Sequence, residues 1–380
     1  MSKNRLKLYV FIDALGWELY LLNQWFLEGI VNVRKPLRTV FGYSSACIPS
    51  IITGKLPAEH GYWSSFYYSP GSSTFKLLAF FRFLPRFVSD RARVRHLLSA
   101  IIKKLNHFSG YFQIYGLPFK YASCFDYQEK YDIFAENGMG ACETIFDKIR
   151  ARNISHCIEK SGSDNNKLAE LGRHIREDKV EFAYAHLGEL DSLLHFNKKS
   201  SPAVQAKLKD YDRQIRAVYE DARRRYDVVD LVVFSDHGMR DTTSVYDLMR
   251  DVEALDLTFG KDYAAFYDST MARFWFLNDG ARAMITDRLS RINAGRILSD
   301  EELKSFGVYF ENHKYGDLIF LMEPGIMIAP SFMGRKSLPG MHGFHPDDPD
   351  SRAAYFATRE SDMETESITD VFNFDTMGLE

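Results

Sequence analysis

Four apolar runs in this chain each give way within a few residues to a carboxylate, an imidazole or a hydroxyl, and several stretches of helical period separate them. Apolar runs without strict alternation are buried on both faces. When they alternate with amphipathic helices they form βαβ units, which constrains the chain to an α/β fold with a mostly parallel central sheet flanked by helices. Strands are predicted at Leu6–Ile12, Arg38–Gly42, Val180–His186 and Val228–Ser235, with later ones near Ala272–Leu277 and Leu318–Met322. Amphipathic helices are predicted at Cys142–Arg152, Asn165–Glu177, Pro202–Arg225 and Gly280–Ile292, the last preceded by Asn278 and Asp279 as capping residues.

Residues 62–140 break this rhythm: aromatics are frequent, strand-like alternation is scarce, and the middle is basic. Residues 1–61 and 141–380 therefore read as the core, and 62–140 as an inserted helical cap. From Lys76 to Lys120 there are nine cations (Lys76, Arg82, Arg86, Arg91, Arg93, Arg95, Lys103, Lys104, Lys120) against the single acid Asp90. One reading is a solvated helix face packed on the core through Phe80, Phe81, Phe83 and Phe87. The other is a lid that offers cations to an anionic substrate or to the lipid of a membrane surface.

At 380 residues and 46% hydrophobic content the chain is long enough for one large core plus that insertion. A formal charge of −3 gives no general reason to expect a nucleic-acid polymer as partner. The N-terminal apolar run is interrupted by Asp13, and no apolar stretch approaches the ~20 residues that cross a bilayer, so no transmembrane anchor is expected. Cys47, Cys124, Cys142 and Cys157 are widely spaced and form neither a CxxC pair nor a zinc-ribbon pattern, which suits a reducing, cytoplasmic compartment.

Five motifs carry chemistry. Asp13 ends the first strand and precedes a turn at Gly16, as either a helix N-cap or a metal ligand. Ser44 or Ser45 opens the helix that closes at Gly54, where the dipole favours a phosphate and where a hydroxyl is either a nucleophile or a cap. Asp191 and His195 follow a strand at i, i+4 spacing, which in a helix puts both on one face within reach of a single cation. Asp236 and His237 end an apolar strand, and Gly238 permits the turn that lets neighbouring side chains serve one site. His342, with His345 nearby, lies in a glycine-flanked loop. Carboxylates and imidazoles recurring at successive strand ends are in proportions that suit borderline divalent metals such as zinc.

The ordered series FIDALGW, SSACIPSIITGKLPAEHG, LGELDSLLH, FSDHGM and GMHGFHP resembles the alkaline phosphatase superfamily, specifically its type I phosphodiesterase/nucleotide pyrophosphatase branch. That resemblance implies an alkaline phosphatase-like core and a metal-dependent hydrolase. It would cleave phosphodiester or pyrophosphate bonds of a small-molecule phosphate ester through a phosphoserine intermediate. Carried over by motif, it implies one metal on Asp191, His195 and His342 and a second on Asp13, Asp236 and His237, with Ser44 the nucleophile bound to the second. The ions would be Zn²⁺, with manganese or iron as alternatives, since three histidines stand among the six ligands. Two features depart from the pattern: Cys47 occupies a place where an asparagine often holds a phosphoryl oxygen, and His345 one where an acid is frequent. A phosphomonoesterase or phosphotransferase using the same site is the alternative reading.

Overall fold

The computed structural model describes residues 4–81, 83, 89, 91–140, 142–177, 179–359 and 364–372. Two compact units divide the chain: Met1–Lys55, Met139–Asp241 and Leu338–Glu380 form the first, and Leu56–Gly138 with Thr242–Ser337 the second.

The first unit is an α/β layer structure built on a six-stranded sheet. Its strands are β1 (Arg5–Ile12), β2 (Val33–Leu37), β3 (His156–Glu159), β4 (Phe182–Leu187), β5 (Val228–Phe234) and β6 (Ala353–Ala357), in the spatial order β2-β6-β5-β1-β4-β3. β1 is central and runs parallel to both neighbours, with Leu8 opposite Ala183 on one side and Leu231 on the other. Only β6 is reversed, pairing antiparallel with β5 and β2.

The helices of this unit used below are α1 (Ser44–Thr53), α2 (Ile145–Ala151), α3 (Asp164–Glu177), α4 (Glu189–Phe196) and α5 (Pro202–Arg225). Leu6, Leu8, Val10 and Ile12 of β1 share one buried cluster with Leu168, Leu171 and Ile175 of α3 and Leu208, Tyr211 and Ile215 of α5. The intervening Tyr9 and Phe11 meet Phe182 and Phe234 at ring-centroid distances of 5.5 and 5.6 Å. Cover on both faces is why β1 is continuously apolar from Leu8 to Ile12, each fully buried large side chain being worth roughly 1.5–3 kcal/mol. The longest helix, α5, carries its own boundary signals: the Ser201 hydroxyl accepts from the Val204 N–H, Pro202 opens the first turn, and Arg223, Arg224 and Arg225 close the last.

The strand expected at Arg38–Gly42 lies instead at Val33–Leu37. It contains Pro36, which argues against a strand in sequence, but β2 is at the sheet edge, where one missing N–H is tolerated. Strands β3 and β6 are too short to announce themselves, and only pairing with their neighbours makes them strands.

The second unit has a four-stranded antiparallel sheet, ordered Tyr263–Tyr267, Met271–Phe276, Leu318–Met322, Gly295–Ile297. The strands predicted near Ala272–Leu277 and Leu318–Met322 thus exist but lie outside the central sheet. Residues expected to form a helical cap also contribute a two-stranded ribbon, Phe66–Tyr68 with Phe125–Tyr127, and they group with 242–337, which the sequence reading kept in the core. The reason is long-range. Buried Arg273 pairs with Asp268 at 2.8 Å and donates to the Phe66 carbonyl at 2.7 Å, while Phe66 stacks on Phe266 at 4.6 Å.

Of the basic segment, Arg82, Arg86, Phe87 and Asp90 lie outside the described residues. Phe80 and Phe83 are 79% and 81% exposed, and Phe81 is exposed as well, so these three do not pack on a core as expected. The helix Ala92–Leu105 instead turns Arg95, Ser99 and Ile102 inward, and Arg95 donates to the Tyr115 and Leu117 carbonyls.

Glu129 accepts from the Ser65 hydroxyl at 2.6 Å, and burial pushes its carboxyl up to about 7. A raised carboxyl supports the fold fully below its ordinary pKa of 4.5, and that contribution is lost as pH rises through about 7. Glu129→Gln is therefore expected to raise the melting temperature at pH 8 by a few degrees and to leave it unchanged at pH 5, read by thermal circular dichroism.

Candidate active site

Strands β5, β1 and β4 are adjacent and parallel, so their carboxyl ends open on one sheet edge. Asp13 follows β1 directly, its N–H donating to the Leu187 carbonyl at the end of β4. The next residue, Ala14, turns the chain at φ 61° and donates its N–H to Asp236 Oδ1 at 3.3 Å. At the end of β5 the Ser235 hydroxyl donates to the Leu15 carbonyl at 2.7 Å, which fixes where Asp236 and His237 begin. Gly238 has no room for a side chain, because a Cβ there would stand 2.2 Å from the Asp350 carbonyl oxygen.

After β4 the chain enters α4, which places Asp191 and His195 one turn apart on one face, as the spacing predicts. His342 follows the short strand Gly340–Met341, which pairs antiparallel with Arg240–Asp241. The Gly340 carbonyl accepts from His195 Nδ1 at 3.0 Å, and a Cβ on Gly340 would lie 2.4 Å from the Leu194 carbonyl oxygen. Ser44 is the first residue of α1, behind Tyr43 in extended conformation, and its Oγ is 3.0 Å from His237 Nε2.

Donor atoms of Asp191, His195 and His342 lie within 4.8 Å of one another, and those of Asp13, Asp191 and His237 form a second such group. Asp236 Oδ2 is 3.2 Å from His237 Nε2. All seven residues singled out in the sequence are thus brought together, with Asp191 belonging to both groups. His345 is not among them, since it sits against Asp347. Cys47 is buried, with its sulfur against Thr39 Oγ1 and the Val40 carbonyl, and burial raises its thiol pKa well above the usual range.

The donor set fits metal ions. A carbonyl oxygen can only accept, so His195 Nδ1 and His237 Nδ1 carry the hydrogens that bond Gly340 and Gly238. In the neutral rings both Nε2 atoms then present lone pairs inward, 3.4 Å from Asp191 Oδ1 and 3.2 Å from Asp236 Oδ2. Asp13 Oδ1, Asp191 Oδ1 and Asp236 Oδ2 are buried and receive no hydrogen bond. Acceptors that face acceptors in a buried site call for a cation.

The protonation pattern reflects the same crowding. Burial, then the Asp236 and Asp191 charges, raise Asp13 well above the carboxylate range, and burial also raises Asp236. Against burial, the imidazoles of His195, His342 and His237 hold Asp191 below that range. Burial opposes a charge on His195, but the neighbouring Asp191 outweighs it and raises the imidazole pKa. Burial and the nearby His237 push His342 well down.

Three supporting residues carried no sequence signal beyond a cap-like Ser163 ahead of α3. Fully buried Asp164 accepts from the Gly188 and Glu189 N–H groups that start α4, from Lys167 Nζ at 3.0 Å and from the Tyr211 hydroxyl. It thereby fixes the helix that holds Asp191 and His195. Asp164→Ala would strand a buried lysine and is expected to cost about 3–5 kcal/mol, measured by urea unfolding.

The sequence profile of the type I phosphodiesterase / nucleotide pyrophosphatase family matches residues 22–345. The chain belongs to this family. It is accordingly an enzyme of the phosphodiesterase/nucleotide pyrophosphatase class, and the family is metal-dependent. No curated protein sequence matches it significantly. Among solved structures, human ectonucleotide pyrophosphatase / phosphodiesterase 5 is similar at 12% identity and a TM-score of 0.63, over 94% of this chain and 87% of that one. The murine protein of the same name is similar at 15% identity and a TM-score of 0.64, over 94% and 88%. An inactive variant of that murine protein in complex with AMP gives 15% and 0.63, over 93% and 87%. At these identities the likeness establishes the fold, which the family member described here shares.

Proposed function

We propose that this enzyme hydrolyses phosphodiester or pyrophosphate bonds of a nucleotide-like small molecule, with Ser44 as the nucleophile. The observation that carries the proposal is the convergence of buried, hydrogen-bond-free carboxylate oxygens and imidazole lone pairs beside the helix-opening Ser44 hydroxyl. The AMP bound to the murine relative supports a nucleotide-like substrate.

Two divalent cations, one held by Asp191, His195 and His342 and one by Asp13, Asp236, His237 and Ser44, with the Asp191 carboxylate within reach of both, would polarise the phosphoryl oxygens and acidify the serine hydroxyl. Zn²⁺ suits three imidazoles beside three carboxylates, ahead of manganese or iron. Ser44 Oγ attacks phosphorus in line as its proton leaves, and the bond from phosphorus to the leaving oxygen breaks. That oxygen departs with a proton, leaving a phosphoester on Ser44. Water then attacks the same phosphorus, the bond to Oγ breaks, and a proton returns to the serine. Throughout, the positive end of the α1 dipole favours the phosphate, and Asp164 keeps α4 in register through the N–H groups of its first turn.

Turnover of bis-p-nitrophenyl phosphate and p-nitrophenyl phosphate by the zinc-loaded enzyme tests this. The diester is expected to be the better substrate. A preference for the monoester would replace the diesterase reading with a phosphomonoesterase or phosphotransferase working through the same residues.

A further inference from the structure

The helix Ala92–Leu105 is amphipathic in an unusual way, for aliphatic side chains line its outer face while its inner face is already occupied by Arg95, Ser99 and Ile102. Leu97, Ile101 and Leu105 are 62%, 43% and 61% exposed. They recur every four residues, so they form one stripe about 12 Å long. Isolated exposed leucines need no explanation, but an aligned row of three does. Phe80 and Phe83, earlier in the same unit, are exposed as well.

Every ionisable side chain on this helix is basic: Arg93, His96 and Lys104 are exposed, Lys103 is half-buried, Arg95 points inward, and there is no Asp or Glu. At 100° per residue, Arg93 and Lys104 fall alongside Leu97 and Ile101. We propose that this outer face is an interfacial surface that seats on an anionic phospholipid bilayer. The aliphatic row enters the boundary between headgroups and acyl chains, while the long stems of Arg93 and Lys104 keep their charges among the lipid phosphates. A protein partner fits less well, because covering the leucines would also bury the interleaved cations and strip their water. The chain's overall charge of −3 makes the attraction local to this acid-free helix.

Co-sedimentation of the full chain with phosphatidylcholine vesicles, with and without phosphatidylglycerol, tests the proposal. The protein is expected to pellet with the anionic vesicles only and to be released by added salt. Two variants separate the contributions: Leu97→Ser with Ile101→Ser and Leu105→Ser removes the row, and Arg93→Glu with Lys104→Glu reverses the charge. Each is expected to lower partitioning about tenfold or more while leaving the melting temperature and the vesicle-free turnover of bis-p-nitrophenyl phosphate unchanged. Should the serine variant fail to fold, the charge reversal, which touches only exposed positions, decides alone. The proposal is overturned if the wild-type chain ignores anionic vesicles, or if a folded variant pellets as wild type does. It is equally overturned if sedimentation velocity finds a self-associating chain whose association is lost in the serine variant, since a second copy would then be the occupant.

Discussion

Ser44→Ala is expected to lower turnover of bis-p-nitrophenyl phosphate by about three orders of magnitude or more, the scale on which loss of a catalytic nucleophile acts. The residue is half-buried at the start of α1 and takes no part in core packing, so the melting temperature should barely move. Acid quenching during turnover followed by peptide mass spectrometry should find a phosphate adduct on the Ser44 peptide of the wild-type enzyme and none in the variant. Ser45→Ala is the control, because the hydroxyl 3.0 Å from His237 Nε2 is that of Ser44. A dead Ser45→Ala beside an active Ser44→Ala would refute the assignment.

Removing Asp191 is expected to do more to metal binding than removing any other single ligand. Its carboxylate belongs to both donor groups, whereas His195 and His342 belong to one and Asp13 and His237 to the other. Loss of a group that merely orients a ligand costs roughly 10–100-fold in metal affinity, and loss of a shared ligand should exceed that at both positions. Elemental analysis of purified Asp191→Ala should therefore find both metals depleted, while His195→Ala loses chiefly one. The idea of a shared ligand fails if Asp191→Ala keeps its full metal content. Turnover by itself would not discriminate, because either variant should be slow.

The fixed surroundings of these ligands are as much a part of the design as the ligands. Carbonyls of Gly238 and Gly340 set the ring tautomers, and neither glycine has space for a methyl group. Asp164, Lys167 and Tyr211 do the same for the turn that begins α4. A site assembled from three strand ends and one loop depends on backbone contacts of this kind to orient its ligands.

The sequence alone determined the elements whose causes are local. Apolar runs on β1, β4 and β5, the capped and proline-opened α5, and the i, i+4 pair Asp191 and His195 each depend on residues within a turn or two of one another, so periodicity and short motifs expose them. Only the tertiary structure decided what depends on distant partners. It put Val33–Leu37 at a sheet edge where Pro36 is harmless, and turned Ala353–Ala357 into an antiparallel strand. It joined residues 56–138 to 242–337 through Arg273 and Phe66, gave Asp191 to both donor groups, and left the aliphatic row of Ala92–Leu105 facing outward. The physical reason is that burial and pairing are properties of surfaces brought together from far apart in the chain, and no window of neighbouring residues contains both sides of such a contact.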